Sequence, residues 1–167
     1  MSRYRLITFL SIVTITSRQQ VRKGGTVLNH HQETEAAIVE LRAAYAAFNR
    51  GDIDTAVRFL DSQVEWIEPA EFPGGGTYHG VEGAKHYLAQ SRAGAAQVIS
   101  EPERFIPAGD RIVVFVHARV LPKNGDRWQD VRLADVYTLQ DGRVTQMHAF
   151  AKREDALLWA GIVDLPK

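Results

Sequence analysis

Ile38, Leu41, Tyr45 and Phe48 recur at intervals of three and four residues. That spacing puts them on one face of an α-helix. Thr34 stands at the N-cap position with Glu35 in the first turn, and Gly51 ends the run. Asp52 caps a second, short helix carrying Ile53, Ala56, Val57 and Leu60. Val64 to Glu68 reads as a strand closed by Pro69, residues 70–80 as a loop rich in Gly and Pro, and Glu82 to Arg92 as a third helix. From Val98 the period changes to two. Residues 98–107, 111–121, 127–140 and 143–152 read as four strands joined by Ala108-Gly109-Asp110, Asn124-Gly125-Asp126 and Asp141-Gly142 turns. A tail helix over residues 154–159 ends at Gly161. Helix, helix, strand, helix and then four antiparallel strands predict an α+β domain with helices on one face of a curved sheet. Such a bent sheet encloses a pocket.

The first 26 residues do not share this patterning. They hold five basic residues and no acid, whereas residues 27–167 hold 15 basic and 20 acidic ones. Leu6 to Thr16 is apolar and β-branched, follows Arg3 and Arg5, and is too short to span a bilayer. Three origins fit: a gene start set too early, with the natural chain beginning at Val27 behind Arg22-Lys23-Gly24-Gly25; a secretion signal without a good cleavage site; or a disordered arm. The expected organisation is therefore an extraneous or disordered segment 1–30, a domain 31–163 and a tail 164–167. Localisation is expected to be cytoplasmic, or secreted if the first segment is a genuine signal.

Composition narrows the chemistry. There is no Cys, so disulfides, thiolate metal sites and a Cys nucleophile are excluded. The charges balance at 20 Lys+Arg against 20 Asp+Glu, without the basic footprint of a nucleic-acid binder. No stable membrane association is expected. Gly74-Gly75-Gly76 lacks the Lys and Ser/Thr of a P-loop, and neither a dinucleotide fingerprint nor a nucleophile elbow occurs. His30-His31-Gln32-Glu33 and the trio His79, Glu82 and His86 have metal-ligand types at unconvincing spacing, so no metal and no cofactor are expected.

Two carboxyl groups carry the candidate chemistry. Alternation puts Val131, Leu133, Asp135, Tyr137 and Leu139 on one face, so Asp135 points into apolar surroundings. There it must be paired or hydrogen-bonded, for instance to Tyr45, or hold a raised pKa. Trp66 and Glu68 share a face at the end of their strand, which puts a carboxylate beside an aromatic at the pocket rim. On the strand 111–121, Ile112, Val114, Val116, Ala118 and Val120 form an apolar face that needs cover from helices or a second subunit, and a homodimer is one expectation. Val113, Phe115, His117, Arg119 and Leu121 form the other face. His117 and Arg119 there either line a polar pocket, lie in solvent or neutralise Asp135. His148 and His79 read as structural.

Four stretches resemble the nuclear transport factor 2-like superfamily, and within it the SnoaL-like cyclases and ketosteroid isomerases. They are Asn49-Arg50-Gly51-Asp52-Ile53-Asp54, Trp66-Ile67-Glu68-Pro69, Tyr78-His79-Gly80-Val81-Glu82-Gly83, and Ala134-Asp135-Val136-Tyr137 through Asp141-Gly142-Arg143-Val144. The resemblance implies a cone-shaped, mostly antiparallel sheet with three helices on one face. It also implies a small cofactor-independent enzyme that removes a proton α to a carbonyl, by isomerisation or aldol-type cyclisation. Glu68 falls at the isomerase base and Asp135 at the protonated, oxyanion-binding Asp, which implies an ionised Glu68 and a neutral Asp135. The family's oxyanion Tyr falls at Ala44, with Tyr45 one residue and about 100° further round the helix. Its last-strand aromatic falls at Ala151. Tyr45 is the second candidate donor, and Trp66, Phe115, His117, Arg119, Tyr137 and Met147 are the candidate substrate-binding residues. With His117 and Arg119 in the pocket, the expected ligand is a small hydrophobic or carbonyl compound, polar or anionic in character. The superfamily's epoxide hydrolases use an Asp–Arg–Asp trio, of which Asp135 and Arg119 are present. The alternative from another class is a non-catalytic ligand-binding or dimerisation module of the same fold.

Overall fold

The structure is a computed structural model that describes residues 14–164, with side chains from residue 29 onward. The chain divides into two compact units, residues 1–35 and 36–167. The first helix, α1 (Thr14–Asn49), begins in the first unit and ends in the second. Thr34 is therefore not an N-cap. It lies within the helix and its hydroxyl donates to the His30 carbonyl at 2.8 Å, the back-bonding that lets a hydroxyl sit inside a helix. Most of the Leu6–Thr16 run and the last three residues of the tail lie outside the described residues.

The second unit starts on the inward stripe of α1, where Ala37, Leu41, Tyr45 and Phe48 are buried as the periodicity requires. Gly51 ends the helix at φ +82°, a conformation that costs a residue without Cβ little. Asp52 then caps α2 (Ile53–Ala56) by accepting from the Thr55 amide at 3.1 Å. There follow β1 (Leu60–Glu68), β2 (Gly76–His79), α3 (Gly80–Ala93), β3 (Gln97–Ala108), β4 (Arg111–Leu121), β5 (Gln129–Gln140), β6 (Arg143–Phe150) and α4 (Arg153–Trp159). β2 corrects the expectation of a loop over 70–80. Thr77 and Tyr78 show no strand periodicity of their own, and the strand exists because β1 offers its edge, with Glu68 opposite Gly76.

One open six-stranded sheet has the order β2-β1-β6-β5-β4-β3. All neighbours are antiparallel except β1 and β6, which run parallel. Register shifts within the β1–β6, β3–β4 and β5–β6 pairs are bulges, which bend and twist a sheet. Helices α1–α3 contribute to the main core on the concave face, with Ile112, Val114, Val116, Tyr137, Val144 and Met147 from the strands. The fourth helix joins a smaller cluster on the opposite face, where Ala156 meets Ile106, Val113, Ala134 and Val136. The apolar face of β4 is thus covered by this chain's own helices.

Candidate active site

The concave face is not fully filled. Between the sheet and the helices lies a cavity of about 440 Å³. Three fastenings hold its walls. Asn49, at the end of α1, donates to the Ser100 carbonyl and accepts from the Ser100 amide, both at 2.8 Å. Arg92 on α3 reaches the Phe48 carbonyl at 2.8 Å, that of Asn49 at 3.3 Å and that of Val98 at 3.4 Å. One guanidinium therefore ties together the ends of two helices and the start of β3. It also satisfies carbonyls left open at a helix C-terminus. The third fastening is the loop after β1, where the Gly75 amide donates to the Phe72 carbonyl at 2.9 Å. A Cβ on Gly75 would lie 2.2 Å from the Pro69 carbonyl oxygen, so this turn requires glycine.

Alternation on β1 and β5 sends Trp66, Glu68, Asp135 and Tyr137 into the cavity, as expected. α1 adds Tyr45. Asp135 is half-buried on the cavity wall, and its Oδ2 accepts from the Tyr45 hydroxyl at 2.5 Å. The Tyr45 oxygen in turn accepts from the Tyr137 hydroxyl at 3.0 Å. The chain of donors runs Tyr137 to Tyr45 to Asp135, so both phenolic protons are committed. Tyr45 therefore reaches Asp135 although the resemblance places the family's Tyr at Ala44. Both residues line the cavity, because a wall seen along a helix is wider than one side chain. Burial raises the Asp135 pKa to about 6, against the lowering effect of the two hydroxyls. Loss of water outweighs the hydrogen bonds by about 3 kcal/mol for a shift of this size. The same burial drives both tyrosines well above their ordinary range.

Glu68 is not a solvated rim residue. It is 8% exposed, and the Trp66 indole nitrogen donates to its Oε1 at 2.8 Å. Burial first, and the negative charge of Asp135 second, raise its pKa to about 8. The Trp66 indole and the Tyr87 hydroxyl pull the other way and lose. Both carboxyl groups are thus raised above the ordinary range, Glu68 further than Asp135, because Asp135 accepts the Tyr45 hydroxyl whereas Glu68 faces the negative charge of Asp135.

The remaining candidates separate clearly. Met147 is 1% exposed in the core, paired in register with both Trp66 and Tyr137, and lies behind the cavity wall rather than on it. Phe115, His117 and Arg119 are on the opposite face of the sheet, which corrects their placement in the pocket. The Phe115 ring lies under the Arg153 guanidinium at 4.7 Å. His117 meets Asp130 at 2.5 Å, and Arg119 meets Glu101 at 3.1 Å. Among the described residues the Asp–Arg–Asp trio is not assembled, because none of their arginines lines the cavity. His148 packs against Phe150 and Trp159 on that outer face, with centroid distances of 4.2 and 5.3 Å, and burial lowers its pKa. Tyr87 was missed in the sequence. Its signal was present, since Ala84, Tyr87, Leu88 and Ser91 recur at helical spacing and form the inward stripe of α3. Phe48, Phe59 and Phe72 complete an aromatic wall. Among the described residues no group of three or more His, Asp or Glu is arranged to hold a metal ion, and no helix is long and apolar enough to cross a membrane.

Comparison with known proteins agrees with this architecture. The family model for a SnoaL-like domain matches residues 41–147, a stretch that contains Tyr45, Glu68, Tyr87, Asp135 and Tyr137. No curated protein matches the chain by sequence. Among solved structures, that of TerC co-crystallised with polyporic acid is similar at 26% identity and a TM-score of 0.63, covering 75% of this chain and 98% of TerC. An NTF2-like protein of unknown function from Burkholderia pseudomallei is similar at 25% identity and a TM-score of 0.64, over 74% of this chain and 95% of that one. An LEH-like epoxide hydrolase from M. tuberculosis shares the fold at 18% identity and a TM-score of 0.58, over 78% and 95% of the two chains.

Proposed function

The chain belongs to the SnoaL-like domain family and has the nuclear transport factor 2-like fold, and on that premise we propose that it is a cofactor-independent acid–base enzyme that removes a proton α to a carbonyl. The observation that carries this reading is the pair Glu68 and Asp135, two carboxyl groups raised to about 8 and about 6 in one mostly aromatic and aliphatic cavity. Between those values the pair holds one proton, which is what an enolisation needs. A carboxylate takes the α-proton while a carboxylic acid supplies a proton to the carbonyl oxygen. The lower value at Asp135 and the higher one at Glu68 support one division of roles. Asp135 is the base, and the C–H electron pair moves toward the carbonyl as the proton reaches its carboxylate. Glu68 is the acid, held by the Trp66 indole and protonating or hydrogen-bonding the developing enolate oxygen. The tyrosine protons are directed to Asp135 and to one another, so Glu68 is the donor free to meet substrate. Return of the proton at a second carbon gives double-bond migration, and attack of the enolate on a second carbonyl gives aldol-type ring closure. The absence of Lys, Arg and His from the walls argues against the anionic substrates that His117 and Arg119 would have suited. The structural likeness to TerC, which was crystallised with polyporic acid, makes oxygenated aromatic ketones natural first candidates.

The test is proton exchange in deuterium oxide with small ketones, among them a Δ5-3-ketosteroid and polyphenolic ketones, followed by mass. The expected result is enzyme-dependent α-deuteration with a bell-shaped pH profile whose limbs lie near about 6 and about 8. Asp135→Asn abolishes it, while Glu68→Gln slows it and removes the alkaline limb. Exchange no faster than in buffer, with ketones that still raise the melting temperature, would replace the enzyme with a binding module.

A further inference from the structure

Among the described residues, every titratable side chain on the cavity wall is an acid, namely Glu68, Asp135 and the phenols of Tyr45, Tyr87 and Tyr137, and no Lys, Arg or His lines it. The chain does not lack cations for carboxylates in general. On the outer face of the sheet Glu103 is gripped by Arg132 at 2.7 Å and by Arg153 at 2.6 Å, and Glu101 by Arg119. Among the described residues, the buried Glu68 and the half-buried Asp135 have an indole and phenols as their polar partners and no cation. A carboxylate withdrawn from water without a cation is a standing electrostatic cost.

We propose that the cavity receives an organic cation, an apolar ammonium compound whose charged nitrogen sits between Glu68 and Asp135 and whose apolar part lies against the aromatic wall. The charge supplies what the protein withholds. On an apolar wall an ammonium and a carboxylate attract more strongly than in bulk water. The rings of Tyr45, Trp66, Tyr87 and Tyr137 line the cavity, and an aromatic ring favours a cation at its face. A quaternary or alkylated ammonium also loses less hydration on entry than a bare one. An anion would meet the Asp135 charge with no positive group to compensate. A volume of about 440 Å³ falls in the range that holds a small organic ligand. This inference uses the site of the proposed reaction but not its chemistry, and a substrate bearing both an ammonium and a carbonyl would satisfy the two together.

Binding is linked to protons. The groups facing Glu68 are Asp135 and Tyr137 from β5 and Tyr87 from α3, with Trp66 beside it on β1; Tyr45 of α1 faces Asp135. The phenols stay neutral, so the charge of the cavity rises from one to two negative units as Glu68 ionises near pH 8.

Calorimetry with three probes of similar size tests this: benzyltrimethylammonium, neutral 4-phenylbutan-2-one and anionic 3-phenylpropanoate, each at about pH 6.5 and about pH 9. The ammonium is expected to bind roughly a hundredfold more tightly than the anion. Its affinity should rise on the order of tenfold between the two pH values, and that rise should vanish in Glu68→Gln. An anion that binds as tightly as the ammonium, or an ammonium affinity that is flat with pH in the wild-type protein, would overturn the inference. Both wild-type readouts stand even if the variant fails to fold. Ketone α-deuteration in the same samples reports on the proposed reaction separately, because it needs no ammonium.

Discussion

Replacing Glu68 by Gln should make the protein more stable in alkali, the reverse of what loss of a conserved-size polar contact would suggest. In the folded chain the Glu68 pKa lies at about 8, against 4.5 for the ordinary group. Its folded value is raised, so the native state holds a proton that the unfolded chain has already released. The stability this proton confers is therefore fully present below about pH 4.5 and is lost as pH climbs through about 8. At 1.36 kcal/mol per unit, the wild-type protein should lose about 2 kcal/mol between about pH 6.5 and about pH 9 through this group alone. Gln has the same shape and can still accept from the Trp66 indole, but it cannot ionise. Urea unfolding of both proteins at steps across that range provides the assay, and the difference between the two curves removes contributions common to both, including that of His148. The difference should widen with pH in favour of the variant up to about pH 8 and level off above it. Parallel curves would refute the reasoning, because they would mean that Glu68 is ionised in the native state at neutral pH, as a solvated rim carboxylate would be.

Tyr45→Phe removes a hydrogen bond that lowers the Asp135 pKa. It should cost about 1.5–3 kcal/mol in a thermal or urea melt and move the acid limb of any pH–rate profile to higher pH. His117→Ala and Arg119→Ala, which break ion pairs on the outer face, should each change stability by less than about 1 kcal/mol and leave ligand affinity unaltered by calorimetry. Gly75→Ala forces the loop after β1 away from the Pro69 carbonyl. It should lower stability by roughly 1–3 kcal/mol and weaken ligand binding, because Phe72 and Gly74 of the same loop are cavity wall.

The legible parts of the fold are those written in local periodicity. β4 spans the predicted residues 111–121, and the inward stripe of α1 contains the predicted Leu41, Tyr45 and Phe48. β2 was not legible, because a four-residue edge strand takes its conformation from the neighbour it pairs with. Nor was the start of α1, since a Thr that would cap a helix will also sit inside one if its hydroxyl can bond back one turn. In the site, alternation sufficed to place Asp135 beside Tyr137 and Glu68 beside Trp66. It failed for Phe115, His117 and Arg119. Alternation says which residues share a face but not which face looks inward, and both faces of β4 are apolar over part of their length. Val113 and Phe115 are covered from outside by the cluster around α4, so their hydrophobicity imitated a pocket wall.

The sequence by itself thus determined the elements, the turns, the pairs of residues that share a strand face and the two carboxyl groups worth attention. The tertiary structure decided which groups surround them and how far each is raised above an ordinary carboxyl. Tyr45 and Asp135 are 90 positions apart, and only the packing of α1 across the sheet brings that hydroxyl to that carboxyl. Glu68 and Asp135 lie on strands separated by β6, and only the cavity they share lets the charge of Asp135 act on Glu68. A side chain's direction follows from the backbone next to it, whereas its charge depends on how much water the rest of the molecule has removed.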